Sequence, residues 1–426
     1  MKRVLFIAYL YPPIANSGTR RSLEFANHLP DSGWEPIVLT VANPPARDCE
    51  VGLLDEIRPG TRVERAPLYS DVLARTIASA LERCVEPGRL APGIEWRIRS
   101  LWQVPDDAAT WRMSAIRRAE RIFRETGFDA IYASGWPWTS FLIAEEVART
   151  TGRPYVLDYR DLWKPSSAAW ERPTLLQRWL NPRLERKATR DAAAIVCTTE
   201  SSARVLASSL RRRQVVSITN GFDPNDFRRI PEVDGELRGG PIRVAYTGVW
   251  RPGYGPDDLY EAIRCLKRRA SECLKSLRVT TAGFAPGRAH DFGIEDVVEE
   301  LGQVPHANAI DIMLRSDALY LPVSKGLHET VSIPGKLFDY IGSNKPILAS
   351  VRPDSEAAGV LASVGSAAFL LPGDVEGLAD VLERLCTRND ATLFSVRVPE
   401  ALARYERRNL TKELAAVLDG VYADSR

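Results

Sequence analysis

Residues 333–350 read IPGKLFDYIGSNKPILAS, and the reading of this stretch decides the fold. Pro334 suits the first turn of a helix, and Gly335 leaves backbone N–H groups open beside it. The pattern predicts a helix over Gly335–Gly342 and an apolar strand over Pro346–Ser350. Lys336 near the helix start suits an anion. Asp339 follows three residues later, on the same face. A carboxylate one turn beyond a phosphate-binding lysine is placed to accept two ribose hydroxyls. No other constellation in the chain is as specific.

Outward from this stretch, the same alternation of strand and helix recurs, which predicts parallel βαβ units. In the second half, strands are expected at Arg243–Thr247, Leu277–Ala282 and Ala318–Pro322, and helices at Asp257–Arg268, Ala307–Arg315 and Val375–Leu385. In the first half, strands are expected at Arg3–Ala8, Pro36–Thr40, Ala130–Ser134, Tyr155–Asp158, Ala193–Thr198 and Val215–Ile218. Helices are expected there at Thr19–Leu29, Met113–Glu125 and Ser140–Arg149. Residues 220–240 carry Pro224, Pro231, Gly235, Gly239 and Gly240 without a clear period and read as a linker. The expected organisation is an N-terminal Rossmann-like domain over 1–230 and a second over 241–408. A last, amphipathic helix is expected within 409–426. The fold class is α/β, with two doubly wound domains facing a cleft. An Arg- and Leu-rich segment at about 70–105, with Trp96 and Trp102, fits neither pattern and reads as a helical insertion. Its mix of basic and aromatic residues also suits a membrane surface.

Composition bounds the function. The chain has 426 residues, 45% hydrophobic and 26% charged, a globular profile with length for a core in each half. The 57 basic and 55 acidic side chains leave a net charge of +2, which argues against a nucleic-acid binder. Six scattered cysteines without a C-x-x-C fit reduced thiols in a cytoplasmic enzyme. Four histidines without ligand spacing indicate no protein-held metal. The start, MKRVLFIAYLYPP, reads as a buried strand rather than a leader, because Pro12-Pro13 breaks the apolar run.

In open α/β sheets ligands bind beyond the carboxyl ends of the strands. After the first strand comes YLYPPIANSGTRRS. Ser17 and Gly18 sit just before a helix and admit a phosphate to its N-terminus, with Arg20 and Arg21 adding charge. After Ala130–Ser134 comes SGWPWTS, whose Trp136 and Trp138 offer aromatic faces to a sugar or base, or else plug the sheet end. After Tyr155–Asp158 comes DYRDLWKP. Asp158, Arg160 and Asp161 beside Trp163 can orient hydroxyls and stabilise charge, or form a structural ion pair. After the first strand of the second half, YTGVWRPGYGP supplies Gly248 for close backbone approach and Arg251 for a diphosphate.

Taken together these pieces resemble glycosyltransferase family 4, a retaining group with the GT-B fold. The matching segments are YPPIANSGTRRSLEFANHL, ITNGFDPNDF, VAYTGVWRPGYGPDDLYEAI and IPGKLFDYIGSNKPILA, in the expected order. DYRDLW looks like a D-x-R-D-x-W stretch of a bacterial polysaccharide-type subgroup. The resemblance implies a nucleotide-sugar donor, a sugar or lipid-linked sugar acceptor, and transfer with retention in surface polysaccharide or glycoconjugate synthesis. It implies no cofactor and no metal, and a last helix within 409–426 that crosses back from the second domain to the first. It implies donor contacts from Ser17, Gly18, Gly248, Arg251, Glu329, Ser332, Gly335, Lys336 and Asp339. Chemistry would rest on Asp158, Arg160, Asp161, Arg251 and Lys336. Trp136, Trp138, Trp163, Arg20 and Arg21 would form the acceptor or sugar wall. The implied location is cytoplasmic, with room for peripheral contact at the inner face of the membrane. Three departures from the family stand out. The first acid of its E-x7-E pattern falls on Val331, with Glu329 off register. The basic pair after the second domain's first strand is reduced to Arg251. SGWPWTS replaces a family histidine. These departures keep other readings open: a nucleotide-sugar epimerase, a pseudo-glycosyltransferase, or a non-catalytic partner.

Overall fold

The computed structural model describes residues 1–45, 49–69, 103–163, 174–210, 214–228, 240–250, 255–284, 286–323, 333–387 and 392–425. The insertion expected at about 70–105 lies almost wholly outside the described residues. By contact the chain divides into two compact units, Met1–Thr219 with Leu410–Arg426, and Asn220–Asn409.

The first unit holds a seven-stranded sheet in the order β3-β2-β1-β4-β5-β6-β7. The strands are β1 (Lys2–Ala8), β2 (Trp34–Val41), β3 (Arg62–Ala66), β4 (Ala130–Gly135), β5 (Tyr155–Tyr159), β6 (Ala194–Cys197) and β7 (Val215–Ser217). Every pairing is parallel. The central strands are apolar runs because both faces are covered. On one face Leu5, Ile7, Ile131 and Leu157 pack with the helices α2 (Arg112–Thr126) and α3 (Thr139–Thr151). On the other, Val4, Phe6, Tyr132 and Val196 pack with α1 (Ser17–His28) and with Leu410, Leu414 and Leu418 of the C-terminal helix. Strand order reverses between β1 and β4, the point of a doubly wound sheet beside which ligands generally bind. Two further helices, α4 (Leu175–Arg190) and α5 (Glu200–Leu210), complete the unit.

The second unit repeats the plan with six parallel strands in the order β10-β9-β8-β11-β12-β13. They are β8 (Ile242–Thr247), β9 (Leu277–Ala282), β10 (Val298–Glu300), β11 (Ala318–Pro322), β12 (Ile347–Ser350) and β13 (Ala367–Leu370). The main helices are α6 (Asp257–Arg268), α7 (His306–Leu314), α8 (Lys336–Gly342), α9 (Glu356–Val364) and α10 (Val375–Thr387). Two apolar clusters again line the sheet's two faces.

Several elements depart from the sequence reading. Strands β3, β10 and β13 were not expected. β3 is RVERA, an edge strand whose charged residues hide its period, with Arg62 and Arg118 pairing with Glu64. The linker expected at 220–240 is folded at its start. Pro224–Arg228 is a helical turn, and Phe222 and Phe227 close on Gly342, where a Cβ would meet both rings at under 3 Å. Residues 220–228 therefore belong to the second unit, with Phe222 in its core, and 229–239 lie outside the described residues.

Candidate functional site

In the second unit two of the expected donor residues, Gly248 and Lys336, meet at the carboxyl end of β8. Gly248 follows the strand with φ 149°, and its amide donates to the Ala282 carbonyl oxygen at 2.8 Å. The space where a Cβ would stand is taken by Lys336, whose Nζ would lie 2.8 Å from it. The lysine reaches there from the first turn of α8, and its ammonium sits 4.0 Å from the centre of the Tyr246 ring. Tyr340, one turn along α8, accepts the Thr247 amide at 2.9 Å and so ties helix to strand. Gly283 closes the other side, because any Cβ there would strike the Gly248 backbone at 2.6 Å.

This packing leaves a cation half-buried on an aromatic face. Among the described residues no carboxylate forms an ion pair with Lys336. Burial alone pushes its amine down to about 7. Asp339 is half-buried on the same helix, and Gly335 is exposed at the helix start. Arg251, Glu329 and Ser332 lie outside the described residues. Sequence reasoning missed Tyr246, Tyr340 and Gly283. The glycine had a signal, since it follows the strand Leu277–Ala282 directly. The tyrosines read as ordinary core residues.

In the first unit the expected cluster resolves into separate parts. Asp158 is fully buried, and Arg21, 1% exposed, grips it with two hydrogen bonds of 2.9 Å from Nε and Nη2. The Tyr132 hydroxyl donates to the same carboxylate, and Arg21 Nη1 donates to the Thr219 carbonyl oxygen at 2.8 Å. Burial by itself would lower the Arg21 guanidinium. The adjoining Asp158 carboxylate outweighs it and holds the pKa above its ordinary value. Asp158 and Arg21 are thus corrected: they form a buried structural pair that joins α1 to β5 and leave nothing to face a substrate.

Arg160 pairs with neither aspartate. Its Nε donates to the Gly135 carbonyl oxygen at 2.8 Å and its Nη2 donates to the Trp136 carbonyl oxygen. Its Nη1 occupies the space a Cβ at Gly18 would fill, 1.2 Å from that position. The absent side chain of Gly18 therefore seats Arg160, and the Gly18 amide already donates to the Asn16 Oδ1 cap at 3.0 Å. The room expected at Gly18 for a phosphate is thus taken by Arg160. Ser17 opens the helix. Arg20 is ion-paired with Glu56. Trp138 and Trp163 stack at 5.2 Å and 8°, buried with Phe141 and Tyr159. They plug the sheet end and are not an open sugar wall. Trp136 is half-buried, and Asp161 is exposed just past the end of β5. Among the residues expected in the chemistry Asp161 is exposed, and among those expected in the wall Trp136 and Arg20 are half-buried.

Two doubly wound units with parallel sheets define an α/β protein of the GT-B type. Residues 18–221 match the model of the glycosyl transferase 4-like domain. The fold is similar to sucrose-phosphate synthase from Thermosynechococcus elongatus, with a TM-score of 0.56 and 12% identity over 100% of this chain and 97% of that one. It is also similar to the N-terminal domain of Candida albicans trehalose-6-phosphate phosphatase, with a TM-score of 0.62 and 12% identity over 98% and 97% of the two chains. At that identity these likenesses carry the fold alone. No curated protein matches the chain in sequence. Residues 18–221 are thus similar to a glycosyl transferase 4-like domain, and glycosyl transfer from a nucleotide-sugar donor to a sugar acceptor is the chemistry of such domains. Among the described residues no helix is long and apolar enough to cross a membrane.

Proposed function

We propose that the protein is a metal-independent hexosyltransferase that moves a sugar from a nucleotide-sugar to a hydroxyl acceptor with retention of configuration. Its setting is bacterial surface polysaccharide or glycoconjugate synthesis on the cytoplasmic side. The observation that carries the reading is Lys336: a half-buried ammonium at a strand's carboxyl end, unpaired among the described residues. A cation withdrawn from water without a counter-ion costs stability unless an anion completes it. A diphosphate is such an anion, and Asp339 one turn on is the acceptor for ribose hydroxyls. In this reading Arg251 joins Lys336 in stabilising the charge that grows on the leaving diphosphate.

Asp161 is the acceptor-side carboxylate of this proposal. It is exposed, so its loss leaves folding within about 0.5 kcal/mol. The test is turnover of a nucleotide-sugar pool with and without a lipid acceptor extract, for the wild type and Asp161→Asn. The expected outcome is transfer by the wild type only, with calorimetric donor binding kept in the variant. Transfer by a folded Asp161→Asn protein removes that residue from the chemistry. Donor binding without any transfer by the wild type returns the chain to a non-catalytic partner.

A further inference from the structure

Helix α4, Leu175–Arg190, has one face held by the protein and one face open. A capping box fixes its start, with Thr174 Oγ1 accepting the Gln177 amide at 3.2 Å and Gln177 Oε1 accepting the Thr174 amide at 2.9 Å. The held face follows helical spacing. Gln177 Nε2 donates to the Gln103 carbonyl oxygen at 2.6 Å, and Asn181 Nδ2 donates to that of Pro105 at 3.4 Å. Leu184 packs on the core, Glu185 accepts the Tyr159 hydroxyl at 3.2 Å, and Ala188 is buried.

Opposite that face, Leu175 is 83% exposed, Leu176 38% and Trp179 59%. The same arc continues through exposed Pro182, Arg183, Arg186 and Arg190. Such large apolar side chains are out of place on a surface that meets only water. The charge is one-sided. The helix carries five cations and a single carboxylate, and that carboxylate, Glu185, is turned to the held face. Lys187 pairs with Glu145 and Arg190 with Asp191. Arg178, Arg183 and Arg186 have no carboxylate partner among the described residues. Arg183 instead lies 4.2 Å from the centre of the Trp179 ring, which joins the aromatic and basic parts into one strip.

We infer that the open face of α4 docks the protein on an anionic lipid bilayer. The helix is about 24 Å long at 1.5 Å per residue and lies along the surface, so the strip presents a line rather than a point. Its leucines and tryptophan stand exposed on one face, the arrangement that enters the headgroup zone, where indoles are favoured. The arginine stems lie along the boundary while their guanidinium groups reach lipid phosphates. The inference goes beyond glycosyl transfer and rests on none of the residues assigned to it. It also differs from the insertion at about 70–105, which suits a membrane surface by composition but lies outside the described residues.

The test is co-sedimentation of the full chain with vesicles of phosphatidylcholine, alone or with about 30% phosphatidylglycerol. The wild type is expected to bind the anionic vesicles only, and to bind more weakly as salt rises. Arg183→Gln with Arg186→Gln is expected to weaken binding roughly thirtyfold, the product of two charges at the surface. Leu175→Ser with Trp179→Ser is expected to abolish it at any salt. Arg404→Gln with Arg408→Gln, two exposed arginines elsewhere, is expected to bind as the wild type does. Melting temperatures matching the wild type show that each variant is folded. Absence of wild-type binding to anionic vesicles overturns the inference. So does unchanged affinity in the Arg183 and Arg186 variant. A dimer that falls apart in the Leu175 and Trp179 variant, without vesicle binding, assigns the face to a second copy and overturns it equally.

Discussion

Arg21 in the first unit and Lys336 in the second are both cations withdrawn from water, and they differ in what faces them. Arg21 meets a buried carboxylate, a tyrosine hydroxyl bound to that carboxylate, and a backbone carbonyl. Lys336 meets an aromatic ring and a glycine. One site has already spent its donors on the protein itself. The other has an ammonium with no carboxylate against it among the described residues, which is where the proposed diphosphate would bind. Buried charge by itself therefore does not mark a binding site. What marks it is charge that folding leaves uncompensated.

The largest effect that can break this comparison is at the closed end. Removing one partner of a buried pair leaves the other charge stranded, which costs about 3–5 kcal/mol. Asp158→Asn is expected to lose about that much in denaturant unfolding, and Arg21→Met a similar amount. An Asp158→Asn protein as stable as the wild type would show that the pair is not structural, and would return Asp158 to the list of functional carboxylates.

Lys336 is expected to behave in the opposite way. Lys336→Met keeps the stem over Tyr246 and deletes only the poorly solvated charge. Stability is expected to hold or rise, while affinity for a nucleotide-sugar falls by about 1.5–3 kcal/mol, the range for a charge-assisted contact. Calorimetry and a melting curve on the same variant measure both halves. A fall in stability with affinity intact would make Lys336 a second Arg21.

The two ends were unequally legible in the sequence. IPGKLFDYIG showed Lys336 because the helix start, the lysine and the acid lie within seven residues, and local spacing fixes their face. DYRDLW placed three charges at a strand end but did not show their partners. Asp158 pairs with a residue 137 positions away, and no local rule points there. Gly18 was read as room for a phosphate when its room belongs to Arg160. Both misreadings share a cause: a glycine or a charge declares that something comes close, and only tertiary packing says what. The parallel sheets were legible from their buried strands. Edge strands such as RVERA were not, because alternation is lost where charges cover one side.

The smallest effect is a pH dependence, and it sharpens the contrast without any mutation. Burial holds the free Lys336 amine down at about 7. An anion bound against it favours the charged form and raises that value. Binding then takes up a proton wherever the free lysine is neutral and the bound one is not. The sign follows: affinity is full below about pH 6 and declines as pH rises through 7. A one-proton linkage gives about a tenfold weaker affinity at pH 8 than at pH 6, or about 1.4 kcal/mol. The neighbouring tyrosines do not interfere, since burial raises Tyr340 to about 12 and Tyr246 higher still. A nucleotide-sugar is the right probe, because its diphosphate is esterified at both ends and stays ionised throughout this range. Arg21 predicts no such slope, because its carboxylate keeps it charged at every one of these pH values. Calorimetry in two buffers of different ionisation enthalpy reads the proton directly. Proton uptake that vanishes in Lys336→Met assigns it to this lysine. A flat profile from pH 6 to 8 in the wild type would mean that the ammonium is charged before the ligand arrives, and with it would go the claim that Lys336 waits uncompensated.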